Sequence, residues 1–129
     1  MDAAEPTPDL TPDLIGHDVL DAAGQRLGRL DSLYRDVDTP TVAFAAVAMI
    51  RRGRRRLVFV PLTGAAISPE SVSLRCGALL ARRAPQVRPG QGLPVELEAD
   101  LYRHYDITYR RREHGEARLL AVGQAKHRR

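Results

Sequence analysis

Leu14-Ile15-Gly16-His17-Asp18-Val19-Leu20-Asp21-Ala22-Ala23-Gly24-Gln25-Arg26-Leu27-Gly28-Arg29-Leu30 is the stretch whose reading decides the fold. It reads as a short strand over His17 to Asp21, a turn over Ala22 to Gln25, and a second strand from Arg26. Gly24 supplies the positive φ that a tight turn demands, at little steric cost. Along the second strand Leu30 falls on the side of Gly28, whereas Leu27, Leu33 and Val37 fall on the other. The alternation slips, and a bulge near Gly28 accounts for the slip. Asp36-Val37-Asp38-Thr39-Pro40 then reads as the next turn.

Val42 to Ile50 is apolar on both faces. Val42, Phe44, Ala46, Ala48 and Ile50 point one way, and Ala43, Ala45, Val47 and Met49 the other. A strand with no polar face is covered on both sides. The cover is a helix or another subunit, which makes Val47 and Met49 the candidate self-association residues. Arg51-Arg52-Gly53-Arg54-Arg55 turns the chain, and Arg56 to Val60 returns as a strand stopped by Pro61, giving a hairpin. Ser71 to Arg75 is another short strand, and Ala84 to Pro94 is a loop rich in Pro and Gly. Glu96 to Tyr105 is the best helix, with Leu97, Leu101 and Tyr105 on one stripe. Its early acids and late Arg103 suit the helix dipole. Leu119 to Val122 reads as a tail in preference to a strand.

The 129 residues suit one domain with a real core, and the 43% hydrophobic content argues for a folded body. No apolar run nears the ~18 residues that cross a bilayer. The acidic, Pro-rich start is the opposite of a secretory signal, so a cytoplasmic location is expected. Cys76 is the single cysteine, which rules out an internal disulfide and a cysteine zinc site and suggests a buried structural thiol. The net charge of +4 is unevenly spread. Asp2, Glu5, Asp9, Asp13, Asp18 and Asp21 open the chain with no base among them, and residues 41–69 carry Arg51, Arg52, Arg54, Arg55 and Arg56 with no acid.

In order and spacing these blocks resemble the PRC-barrel family, named for the cytoplasmic barrel of the photosynthetic reaction-centre H subunit. A related barrel forms half of the bacterial ribosome maturation factor. The matching residues are Leu14-Ile15-Gly16 with Val19, Asp21 to Gly24, Leu27-Gly28 and Leu30. Val58-Phe59-Val60-Pro61-Leu62, Ala84-Pro85, and Glu96 to Tyr105 follow; the last resembles the Leu-Tyr-x-His-Tyr ending of small stand-alone bacterial members. Asp106 departs from the Gly common at that point. These residues contain neither a transmembrane helix nor a second, nucleotidyltransferase-like barrel, so neither relative's specific function carries over. The resemblance implies an all-β fold, a small PRC-type β-barrel with one short C-terminal α-helix, used for protein contacts. The expected layout is a disordered acidic leader over 1–13, the barrel over 14–106, and a basic, flexible tail over 107–129.

The residues offer little chemistry. His17, His104, His114 and His127 lack metal-site spacing, and packing or surface roles are expected of them. No nucleophile elbow or phosphate-binding loop occurs. Glu96, Glu98 and Asp100 read as a solvated helix face. No catalytic residue, metal or cofactor is expected. The most charged spot is Arg51, Arg52, Arg54, Arg55 and Arg56 at the hairpin tip. It is the candidate surface for a partner or for nucleic acid, because a basic β-ribbon docks on phosphates. Only 5% of residues are aromatic, which argues against stacking on single strands. One further candidate contact for the arginines is the acidic N-terminal arm. The first expectation is therefore a non-enzymatic, self-associating protein-interaction module with a protein partner. The alternative is an RNA- or ribosome-associated protein that binds through the arginine hairpin.

Overall fold

The computed structural model describes residues 14–39 and 41–124. The leader expected over 1–13, Pro40 and the last five residues lie outside that range. The described chain is mostly β. Strands β1 (Asp18–Leu20), β2 (Arg26–Asp36), β3 (Val42–Arg51) and β4 (Arg54–Pro61) form its centre. The short β5 (Ala66–Ile67) and β6 (Ser71–Ser73), helix α1 (Ala78–Arg82), β7 (Gln86–Val87), helix α2 (Val95–His104) and β8 (Leu119–Gln124) follow. One sheet runs β5-β6-β1-β2-β3-β4-β7, and β8 also pairs with β2. The two ends of that path do not pair with each other, so the sheet is open among the described residues.

The opening stretch folds as a hairpin. Gly24 has φ +86°, and the Asp21 carboxylate accepts hydrogen bonds from the Ala23 and Gln25 amides, fixing the turn. β2 then carries two extra residues of its own, each a register step. Against β1 its pairing passes over Leu27, and against β3 it steps from Leu30 to Ser32. Each step adds one residue, so side chains three apart share a face. Leu27, Leu30 and Leu33 all enter the same core. The sequence reading had placed Leu30 opposite the other two; the second step, at Asp31, corrects it. At Gly28 the chain runs tight against β3: a Cβ there would sit 2.1 Å from the Ala48 carbonyl oxygen.

β3 divides two cores. Ala45, Val47 and Met49 join Val58 and Val60 of β4 on one face, under Val19, Val72, Leu74 and Ala81. Phe44 and Ala46 join Leu57 and Phe59 on the other, under Leu101, Tyr102 and Leu119. Both faces are thus covered within a single chain. Val47 is 0% and Met49 6% exposed. The surface expected of them for self-association is not there, because β1, β6 and α1 close over that side.

Two further expectations are corrected. The helix over 95–104 is not the end of the fold, and a second helix, α1, precedes it. Beyond it, within the stretch expected as a tail, Leu119–Gln124 form β8, which pairs antiparallel with the second half of β2. β1 and β8 therefore share one edge of β2, the first half taking β1 and the second half β8.

Candidate functional site

The hairpin tip is built by backbone geometry. Arg52 and Gly53 have φ +54° and +76°, both in the left-handed region, and Arg51 pairs with Arg54 across them. This is the two-residue turn whose twist suits antiparallel strands. A glycine at the second position accepts that φ freely, and Arg52 bears the strain at the first. The tip is therefore a stiff presentation of five guanidinium groups on two paired strands.

Arg52, Arg54 and Arg55 are exposed, and Arg51 and Arg56 half-buried. Cross-strand pairing places Arg55 beside Ile50 and Arg56 beside the buried Met49. Ile50 is 73% exposed, the most exposed large hydrophobic side chain among the described residues. Arg51 Nη1 donates to the Arg82 carbonyl at 3.5 Å, and Arg56 Nη1 to the Arg55 carbonyl at 3.3 Å. Among the described residues none of the five forms an ion pair with a carboxylate. Arg51 and Arg54 are like charges directly opposed, an arrangement that destabilises a ladder. No carboxylate among the described residues neutralises it.

A second polar cluster lies at the far end of β2. Arg118 Nε and Nη2 donate to the two oxygens of Asp36, at 3.0 and 2.8 Å. Nη2 also contacts Asp38, and Nη1 donates to the Arg110 carbonyl at 2.7 Å. The Tyr102 hydroxyl donates to Asp36 at 2.6 Å. Burial alone would push the Asp36 carboxyl up. The hydrogen bonds from Arg118, Tyr102 and the Asp38 amide outweigh it and hold the carboxyl at about 2. Burial, reinforced by Asp36, pushes the Tyr102 hydroxyl far above its ordinary range. These groups border an open cavity of about 380 Å³ whose wall also carries Thr39, Thr41, Thr63 and Thr108.

Next to it, Glu98 is buried on α2. Its carboxylate accepts the amides of Arg118 and Leu119 at 2.9 to 3.1 Å and the Tyr109 hydroxyl at 2.8 Å. Burial and this bond push the Tyr109 hydroxyl up to about 12. The solvated face expected for Glu98 is thus corrected: Glu98 caps the start of β8. Asp36 and Glu98 are both occupied by internal donors. A general acid or base needs an oxygen free to meet substrate, so the cluster reads as a latch for the C-terminal strand.

The remaining candidates have modest surroundings. His104 Nε2 donates to the Leu80 carbonyl at 2.6 Å, and its ring stands edge-on to Tyr105. Cys76 is half-buried, and burial pushes its thiol up. His127 lies outside the described residues. Among the described residues no three metal-ligating side chains converge, and no helix is long and apolar enough to cross a membrane.

The five arginines expected as a contact surface are thus brought together at one tip. Val47 and Met49 are elsewhere, inside the core. Asp36, Tyr102 and Arg118 were not singled out by sequence as site residues, and Glu98 only as part of a solvated helix face. The one local signal was Asp36-x-Asp38 in the turn after β2, where the Asp38 amide donates back to Asp36. Compared with known proteins, the chain matches no family model, and it matches no curated protein.

Proposed function

We propose that this chain is a non-enzymatic interaction module of the PRC-barrel type, and that it grips an acidic protein surface with the Arg51–Arg56 hairpin. The observation that carries this reading is the opposed, unneutralised pair Arg51 and Arg54 on a stiff two-residue turn. A fold that holds like charges face to face becomes more favourable when a polyanion settles on them. Exposed Ile50 beside Arg55 adds an apolar contact suited to a protein partner. The barrel reading is supported by the way β1 and β6 close over the first face of the central strands. Self-association through Val47 and Met49 is not part of this reading.

A second reading, RNA binding, is favoured by the density of guanidinium groups, which match phosphate geometry. The tip carries no aromatic side chain for stacking, so the RNA would be a duplex. The two readings separate by fluorescence anisotropy with a poly-glutamate peptide and an RNA duplex, each about 20 units long, in low and high salt. The protein reading requires peptide binding that the Arg51/Arg52/Arg54/Arg55/Arg56→Ser variant loses. Tighter duplex binding with a steep salt slope would transfer the hairpin to RNA. Binding of neither probe would end both readings.

A further inference from the structure

The arginines of the hairpin do not all face one way. Residues directly opposed on paired strands share a face of the sheet. Arg56 is opposite Met49, and Arg54 is opposite Arg51, two residues on from Met49. Met49 belongs to the core that also holds Ala81 of α1. Arg51, Arg54 and Arg56 therefore sit on the side of the sheet that α1 covers, and Arg55 with Ile50 on the other. α1 adds two adjacent leucines to that side, Leu79 at 63% and Leu80 at 42% exposure. Single exposed leucines are ordinary, but neighbouring ones rimmed by charge mark a contact surface. The helix that carries them is pinned by its backbone. Ala81 is buried, the Leu80 carbonyl accepts from His104 Nε2 at 2.6 Å, and the Arg82 carbonyl accepts from Gln86 Nε2 at 3.2 Å. The same Arg82 carbonyl takes the Arg51 bond, which ties α1 to the hairpin. Leu79 and Arg82 are three residues apart, so they share a helix face, about 5 Å from each other along the axis. Arg83 follows, and both arginines are exposed. Among the described residues none of Arg51, Arg54, Arg56, Arg82 and Arg83 forms an ion pair with a carboxylate.

We propose that the hairpin and α1 form one docking surface, and that its occupant is an acidic amphipathic segment of a partner protein. The segment sets carboxylates against Arg51, Arg54, Arg82 and Arg83 and apolar side chains against Leu79 and Leu80. Charge complementarity fixes the sign of the occupant. The leucines require apolar atoms between its charges, because a bare polyanion would leave them in water. A second copy of this chain would bring the same arginines to the contact and be repelled. Two leucines on a five-residue helix suit a peptide segment, whereas helices that lie on membranes present a longer apolar face. Because α1 is already held by its backbone bonds, the leucines meet the partner without first being ordered. This inference rests on the reading of the hairpin as the grip on an acidic protein, and adds the apolar half of what that partner must carry.

The test compares the poly-glutamate peptide with one of equal length in which every fourth glutamate is replaced by leucine. The full chain is used, unaltered and as the Leu79→Ser/Leu80→Ser and Arg82→Ser/Arg83→Ser variants, all four positions being exposed. The expected result is that the unaltered protein binds the leucine-bearing peptide about tenfold tighter than poly-glutamate. The leucine variant erases that gap and binds poly-glutamate as before, and the arginine variant weakens both. A second readout needs no variant: the Leu79 and Leu80 methyl signals in NMR move with the leucine-bearing peptide and stay in place with poly-glutamate. Equal affinity for the two peptides, or a gap that survives the leucine change, overturns the inference and leaves the proposed function standing. A leucine-bearing peptide that still binds the Arg51/Arg52/Arg54/Arg55/Arg56→Ser variant overturns the proposed function and this inference with it. Binding of neither peptide ends both. Phosphatidylcholine vesicles with about 30% phosphatidylserine complete the set. Vesicle binding tighter than either peptide, and lost in the leucine variant, would give the surface to a lipid bilayer and overturn the protein segment.

Discussion

Arg118 and Asp36 are separated by 82 residues in sequence and by 2.8 Å between Nη2 and Oδ1. The pair joins the start of β8 to the end of β2, and both side chains are nearly out of solvent, at 9% and 13% exposure. Removing one partner of such a pair leaves the other charged, desolvated and unmatched. Arg118→Met is expected to cost roughly 3 kcal/mol, read as a lower urea midpoint. An unchanged midpoint would show that the latch contributes nothing to the fold.

The same pair makes stability depend on pH. Asp36 is held at about 2, below the ordinary carboxylate range that it regains on unfolding. A depressed carboxyl stabilises the fold fully above its unfolded value, near 4, and the contribution fades as pH falls toward 2. The expected loss is about 2 kcal/mol between pH 5 and pH 2. Urea unfolding across that range, with Asp36→Asn as the comparison, measures it. The variant should be less stable at pH 5 and show a flatter acid limb.

Glu98 is the central acceptor on α2, and Glu98→Gln tests it. The amide keeps one acceptor oxygen and turns its other position into a donor that faces the Arg118 and Leu119 N–H groups. A cost of about 2–3 kcal/mol follows from the lost charged acceptor. Hydrogen exchange locates the effect: the Arg118 and Leu119 amides should exchange faster, with β3 and β4 amides altered only by the global loss. Uniform change across the sheet would deny Glu98 its capping role.

How far these features were legible in sequence depended on how local their causes are. The β3–β4 hairpin was readable because the double-faced apolar run, the Arg-Gly turn and Pro61 all act within a few residues. Gly24 and the β1–β2 turn were readable for the same reason. Glu98 was not: acids early in a helix suit its dipole, and only the arrival of β8 from 20 residues away turns one of them inward. The apolar stripe of α2 was legible in part: Leu101 is buried and Tyr105 packs against both cores, but Glu98 and Tyr102 are buried beside them and Leu97 is only half-buried. β8 itself was missed because its short segment has no alternation to separate it from a tail. Its pairing is set by the free half-edge of β2. The covering of β3 was foreseen, but sequence left open whether a helix or a second subunit supplied it.

Val47 and Met49 give a decisive contrast. Met49→Glu would put a carboxylate into the core that holds Val58 and Leu30, where its desolvation outweighs what the half-buried Arg56 across the strand can return. The expected outcome is loss of the folded state, with collapse of near-ultraviolet circular dichroism, and not a change of oligomeric state. A folded Met49→Glu protein of altered mass would restore that strand as an interface.

Gly28→Ala probes a close approach between β2 and β3. The added methyl would meet the Ala48 carbonyl oxygen and a Val47 methyl, so backbone must move. A loss of roughly 1–3 kcal/mol is expected. Gly77→Ala, where a Cβ meets nothing within 4 Å, is the matched control and should leave the melting temperature nearly unchanged.

Because β2 receives β1 on one half of its edge and β8 on the other, the order of synthesis matters to the sheet. A ribosome delivers β1 through β4 well before β8, so they are free to pair first. The second half of β2 keeps bare amides and carbonyls until Leu119 to Gln124 leave the exit tunnel. A nascent chain stalled before Arg118 would present that open edge, with Leu33 and Tyr34 beside it, to its neighbours on a polysome.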